Sequence, residues 1–289
     1  MKRPVIPIHD LGADAGDDTR FVSMYQKAPD IYPRAVKGWF AAWRWAMVWL
    51  TQLFFYGLPW LQWGSPSGGR QAVLFDLEAQ RFYILGLVLY PQDLIFLAAL
   101  LVLSALALFF FTAVAGRLWC GYTCPQTVYT EIFMWVERRI EGDRIARMRL
   151  DRAPWSPNKL ARKGAKQAAW LAIGLFTGFS FVGYFTPIRE LAQAVLAFDV
   201  SAWNTFWILF YGAATYGNAG YLREQMCKYM CPYARFQSAL IDKDSLIITY
   251  DAARGDPRGS RSRKASAAEQ GLGDCIDCTL CVQVCPTGI

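Results

Sequence analysis

At 289 residues, 54% of them hydrophobic and 16% aromatic, the chain is too apolar for an ordinary soluble domain and points to a membrane protein. Its formal charge of +7 then reports basic loops on one side of the membrane, not a nucleic-acid surface. Eight cysteines, gathered in tight metal-type clusters, exclude a disulfide scaffold and call for a reducing compartment.

No apolar run follows Met1-Lys2-Arg3, so no cleaved signal peptide is expected. Residues 1–37 are polar and proline-punctuated and read as a cytoplasmic arm. Residues 38–250 read as an α-helical membrane domain of four transmembrane helices. The first span covers 38–61, long enough for the roughly twenty helical residues a bilayer requires. Arg44, a turn inside its start, reads as a snorkelling side chain. A Gly/Pro/Ser loop then leads to 82–90, which is apolar but too short to span and is expected to lie at the interface or to re-enter. Further spans are expected over about 93–116, 168–188 and 203–222. Lysine and arginine number six in 1–37, two in 62–92, eleven in 117–167, one in 189–202 and nine in 223–289. That alternation places both ends and the 117–167 loop in the cytoplasm.

Two matched motifs follow the second and fourth spans, Cys120-Gly-Tyr122-Thr-Cys124-Pro125 and Cys227-Lys-Tyr229-Met-Cys231-Pro232. They are offset by 107 residues and mark an internal repeat of two spans plus a cysteine pair. Proline is favoured at the first helical position, which makes Cys124 and Cys231 the expected N-caps of the helices that follow. There the helix dipole biases a thiol towards thiolate, with Arg117, Arg223, Lys228 and Arg235 adding to the field. Both following helices read as interfacial. Val128, Ile132, Val136 and Ile140 form a stripe opposite Glu131, Arg138 and Arg139, while Tyr233, Phe236 and Leu240 form a shorter one. Soft sulfur at a membrane edge suits Cu(I) or redox chemistry. Met226 and Met230 read first as packing, with thioether ligation as the alternative. The sequence has a single histidine, His9, so a bis-histidine haem is excluded.

Residues 245–250 read as a short strand and 251–273 as a basic linker, whose Arg254, Arg258, Arg261, Arg263 and Lys264 are expected to solvate it or to brush anionic lipid. From 274 to 289 the chain carries Cys275-Ile-Asp-Cys278-Thr-Leu-Cys281-Val-Gln-Val-Cys285-Pro286. This C-x2-C-x2-C-x3-C-P spacing is the bacterial ferredoxin run: three cysteines grip one 4Fe–4S cube and the fourth turns to another. Zinc sites more often split their ligands into two separated pairs, often with histidine. A two-cluster fold needs a second run, so these residues are expected to start a ferredoxin-type domain whose remainder lies downstream, with two clusters in the full-length protein.

The chain resembles the FixG/CcoG family, the cytochrome c oxidase accessory proteins, which are membrane-anchored polyferredoxins. The residues that carry the resemblance are Tyr32-Pro33-Arg34 with Val36-Lys37-Gly38, Pro91-Gln92-Asp93, both C-x-Y-x-C-P motifs, Tyr250-Asp251, Arg254-Gly-Asp256-Pro257-Arg258-Gly259 and the Cys275–Cys285 run. It implies a protein of the bacterial inner membrane that reduces Cu(II) to Cu(I) while a haem–copper oxidase is assembled. Cys120, Cys124, Cys227 and Cys231 would hold the copper and Cys275, Cys278, Cys281 and Cys285 the clusters. Oxidase subunits or copper chaperones would be the partners, with a cytoplasmic electron donor. Two alternatives stand beside it. One is a quinol-linked conduit to a periplasmic reductase, with Glu131 as a candidate proton acceptor. The other is a non-catalytic assembly scaffold.

Overall fold

The computed structural model describes residues 32–64, 69–262, 266–267 and 270–284. His9, Arg263, Lys264, Cys285 and Pro286 lie outside them. Helices dominate. The first, α1 (Trp39–Gly57), starts after Gly38 and ends at the turn of Pro59. Two short strands, β1 (Gln62–Trp63) and β2 (Arg70–Gln71), pair antiparallel, and β3 (Val73–Asp76), β4 (Arg81–Ile84) and β5 (Leu87–Leu89) form an antiparallel meander. Residues 82–90 are therefore a hairpin, not an interfacial or re-entrant segment. Leu85 and Gly86, both at positive φ, turn the chain back so that Phe82 pairs with Leu89.

Helix α2 (Leu94–Ala115) follows, and Gly116 at φ 54 breaks it before α3 (Leu118–Tyr122). Next come α4 (Pro125–Ile140), α5 (Arg144–Arg152), α6 (Pro157–Val182), α7 (Ile188–Leu196) and α8 (Ala202–Gly220). A short α9 (Arg223–Gln225) runs into a π-turn, Met226–Met230, which leads to α10 (Pro232–Leu240). The last two helices are α11 (Ala252–Gly255) and α12 (Leu280–Val284). Residues 245–250 form no strand; Leu246 N–H instead donates to the Val114 carbonyl of α2 at 3.0 Å.

With its leading turn, α2 (Pro91–Ala115) is long and apolar enough to cross a membrane, and it is the one such helix among the described residues. The other three expected spans fall on α1, α6 and α8. Arg44 and Gln52 dilute the apolar content of α1, Asn204 and Asn218 that of α8. Helix α6 begins eleven residues before the expected third span, because Ser156 caps the Lys159 N–H at 3.2 Å and Pro157 takes the first helical position. Gly174 and Gly178 let it lie directly on α8: a Cβ at Gly178 would stand 2.3 Å from the Ile208 carbonyl oxygen.

Helix α4 departs from the interfacial expectation. Its Phe133 is fully buried, stacks on Trp170 of α6 with ring centroids 5.1 Å apart, and packs with Val136 and Ala219 into the main core. The apolar stripe read from the sequence is real, but it faces α6 and α8. Below this core lies a buried charge network. Glu137 accepts from Arg147 at 2.8 Å and Arg223 at 3.2 Å, while Glu141 pairs with Lys166 at 3.0 Å and Lys163 at 3.1 Å. Lys166 and Arg223 both also lie over the Trp170 ring. Opposite charges so shielded from water are tightly interdependent, because removing one partner leaves the other uncompensated. Glu137→Ala is expected to cost about 3–5 kcal/mol in denaturant unfolding of the detergent-solubilised protein. Lys228→Ala, which breaks the exposed Lys228–Glu224 pair, is expected to cost under about 1 kcal/mol.

Candidate metal centre and cluster segment

The two C-x-Y-x-C-P motifs fold alike. Cys124 N–H bonds the Trp119 carbonyl at 3.0 Å and Cys231 N–H bonds the Met226 carbonyl at 2.8 Å, an i→i+5 closure in both. Proline then starts a helix with the cysteine as N-cap, as the sequence implied. The widened turn is a feature that recurs at functional sites.

What joins the motifs is an exchange between the two halves. One residue past each proline stand Gln126 and Tyr233, equivalent under the 107-residue offset. Gln126 Nε2 donates to the Asn218 carbonyl of α8 at 2.9 Å, and the Tyr233 hydroxyl bonds Thr112 of α2. Each half thus docks the helix after its motif against the second long helix of the other half, and Cys124, Cys227 and Cys231 all lie near enough to act electrostatically on Cys120. Gln237 of α10 donates to Cys120 Sγ at 3.1 Å, a contact that also crosses between the halves. The sequence stripe on α10 did not include Gln237. It is the buried residue of that helix, while Phe236 is exposed.

Burial pushes the Cys120 thiol up to about 11, the Gln237 hydrogen bond opposes the shift, and the charges of the other three thiols add to it. Burial also raises Cys227, as do Cys124 and Cys231, while Arg117 works in the opposite direction. Arg117 is thus the member of the expected basic set that opposes the shift of Cys227. Arg223 is engaged by Glu137, Lys228 by Glu224, and Arg235 by the Tyr229 carbonyl. Among the described residues no three His, Cys, Asp or Glu side chains are drawn together tightly enough to hold a metal ion. The four thiols are electrostatic neighbours that an ion would have to draw in.

The cluster segment is built differently. Cys275 is half-buried, and Cys278 and Cys281 are exposed. Asp277 and Thr279, on either side of Cys278, both adopt left-handed φ, of 51° and 55°. Such a conformation is unusual for a β-branched residue, and this loop has the tight wrap that three thiolates around one cube demand. Cys275, Cys278 and Cys281 fit three of the four ligands of a 4Fe–4S cluster in type and spacing. Of the arginines expected to solvate the linker, Arg254 and Arg261 also bond this segment and Arg258 bonds within the linker. Arg254 pairs with Asp274 at 2.8 Å, Arg261 donates to the Gly273 carbonyl at 2.6 Å, and Arg258 lies over Tyr250 and bonds Asp256. The arm takes part as well: Arg34 N–H donates to the Gln283 carbonyl of α12 at 2.8 Å, and the Tyr32 hydroxyl bonds Asp151 at 2.9 Å.

Residues 222–289 match the family model of a 4Fe-4S dicluster domain, and residues 97–142 that of a 4Fe-4S binding domain. The chain is therefore an iron–sulfur electron-transfer protein. It is 44% identical over 92% of its length to the nitrogen fixation protein FixG of Rhizobium meliloti, covering 51% of that protein. To the proteins RdxA and RdxB of Cereibacter sphaeroides it is 42% and 40% identical, over 92% and 94% of its length and 56% and 57% of theirs. Over the half or so of those proteins that it spans, the chain is similar to FixG, RdxA and RdxB. No solved structure matches it.

The environments of the thiols set their order of reaction. In metal-free protein at pH 8, mass-spectrometric mapping after brief iodoacetamide treatment is expected to find Cys278 and Cys281 alkylated and Cys120 unmodified, because only the thiolate attacks. Gln237→Leu removes the one contact that stabilises the Cys120 thiolate and is expected to slow its alkylation further.

Proposed function

We propose that this is a multi-pass protein of the bacterial inner membrane that reduces Cu(II) to Cu(I) during assembly of a haem–copper oxidase. The observation that carries this reading is the convergence of four thiols, two from each half, through the exchanged helices. Four soft sulfur donors favour Cu(I) over Cu(II), so copper taken up there as substrate becomes easier to reduce. A 4Fe–4S cluster on Cys275, Cys278 and Cys281 supplies electrons singly when bound, and the Cu(II)/Cu(I) couple takes one. Cys120, Cys124, Cys227 and Cys231 bind the ion, and copper chaperones or oxidase subunits receive it.

The four-span topology is part of the same proposal. Exposed apolar side chains support it: Trp39, Phe40, Trp49 and Leu53 on α1, and Trp203, Phe206 and Phe210 on α8, all need a lipid environment. Reporter fusions after Ile140 and Ala265 are expected to be cytoplasmic, and those after Ser67 and Val195 periplasmic. A periplasmic reporter at Ala265 would move the cluster segment out of the reducing compartment and refute the topology.

A second reading follows from the 97–142 match, which includes Cys120 and Cys124: the four thiols would hold iron as a cluster. Replacing Cys124 and Cys231 with serine separates the two. If the site takes copper, the double variant keeps near-normal iron while its Cu(I) affinity falls about 10⁴-fold, since each of the two lost ligands contributes about 3 kcal/mol. Replacing Cys275 and Cys278 is expected to do the reverse. Loss of iron from the first variant would establish the cluster reading. Undiminished copper binding and oxidase assembly in it would leave a scaffold.

A further inference from the structure

Between α1, α4 and α6 runs a groove of about 1210 Å³ that neither the thiols nor the cluster segment uses. Its walls are apolar and aromatic, with Val48, Trp49, Leu53, Ile132, Ile173 and Phe176 among them. Towards the end of α1 it meets a set of neutral polar groups. Tyr56 bonds Thr177 at 2.9 Å and Tyr129 at 3.3 Å, and the Gln52 amide reaches the Tyr129 hydroxyl. Gln52 Oε1, however, is buried with no hydrogen-bond partner among the described residues. A buried, unpaired carbonyl is costly and marks a place where a donor is wanted. On its other side Gln52 lines a second cavity of about 300 Å³, together with Tyr129, Thr123 and Pro125, the last two flanking Cys124.

We propose that the groove binds a lipid-soluble quinol, with the head-group hydroxyl donating to Gln52 Oε1 and the isoprenoid tail lying along the apolar walls. The head is neutral, planar and aromatic. It suits an inner end that has phenols, a hydroxyl and an amide but no cation. A phospholipid fits less well. The cations that line the groove, Lys37 and Arg138, could hold a phosphate, but Lys37 lies before the start of α1, itself about 20 Å of helix from Gln52, and Arg138 lies about 13 Å along α4 from Tyr129. A phospholipid anchored there would present only acyl chain to Gln52, and acyl chain has no donor. The quinol site is independent of which metal the four thiols take up, so its failure would leave the copper reading untouched.

The test uses the purified chain in phosphatidylcholine nanodiscs, titrated with decylubiquinol and decylubiquinone while tryptophan fluorescence is followed. Trp45, Trp49 and Trp135 line the groove and act as reporters. Wild type is expected to show saturable quenching. Gln52→Leu is expected to weaken quinol binding about tenfold, the effect of losing one buried hydrogen bond. Ala172→Trp, which fills the groove, is expected to abolish binding. Both variants should keep the wild-type cysteine alkylation pattern. Native mass spectrometry of wild type extracted from quinone-containing membranes needs no variant, and is expected to show a bound quinone. The proposal is overturned by unsaturable quenching in wild type, by a Gln52→Leu affinity within twofold of wild type, or by retention of phospholipid alone that decylubiquinol does not displace.

Discussion

The exchange of helices between the two halves is the constraint on which the rest depends. A C-x-Y-x-C-P motif alone yields a capped helix and two thiols at a membrane edge. Two of them come within electrostatic reach of each other because α4 packs on α8 and α10 packs on α2, with Gln126 and Tyr233 making equivalent bonds from equivalent positions. Proline is central to this. By fixing the first helical residue next to the second cysteine, it makes the direction of α4 and α10 a property of the motif itself. The tertiary contacts then need only hold a geometry that the backbone already favours.

The buried charges extend that hold beyond the thiols. Arg223 precedes Cys227 by four residues, Glu137 lies on the helix that Cys124 caps, and the two are joined by a paired hydrogen bond. A second acid, Glu141, ties the same helix to Lys163 and Lys166 of α6. An apolar contact of this size would tolerate sliding, whereas a desolvated ion pair strongly penalises separation. The network reaches the arm through Asp151. Burial alone would raise that carboxyl, but hydrogen bonds from Lys163 and Tyr32 outweigh it and hold Asp151 below the usual carboxylate range. This contribution to stability is complete above the ordinary aspartate range and is lost as pH falls through the depressed value.

Those features that depend on local spacing were legible in the sequence. The cluster run, the two motifs, their capping cysteines and the α2 span all follow from residues close together in the chain. What was not legible involves partners far away. The stripe Val128, Ile132, Val136, Ile140 looks the same whether it meets lipid headgroups or α6, and only the burial of Phe133 against Trp170 decides between them. Residues 82–90 formed a short apolar run, for which length and periodicity do not separate interface from hairpin; the turn at Leu85-Gly86 was the available signal. Gln237 had no motif to announce it, since its role comes from the approach of α10 to the other half. The linker arginines look like solvating charges until Asp274 and the Gly273 carbonyl are seen beside them.

Helix α4 is the element that relates the two cysteine groups. It begins at Cys124, and its Glu131, Met134 and Arg138 line a cavity shared with Arg34 of the arm and Val284 of α12. At 1.5 Å per residue, Glu131 to Arg138 lie about 10 to 21 Å along the axis from Cys124. The hydrogen bond from Arg34 to Gln283 holds α12 at that end. The separation between thiols and cluster segment is therefore set by one helix packed on α6 and α8 and touched by α1 through Arg44–Glu131 and Tyr56–Tyr129. The linker is pinned by its arginines and adds to this hold. In this chain the helix that links the two groups is held by its buried Val128, Phe133, Val136 and Glu137, so their spacing is fixed even though Cys278 and Cys281 are exposed.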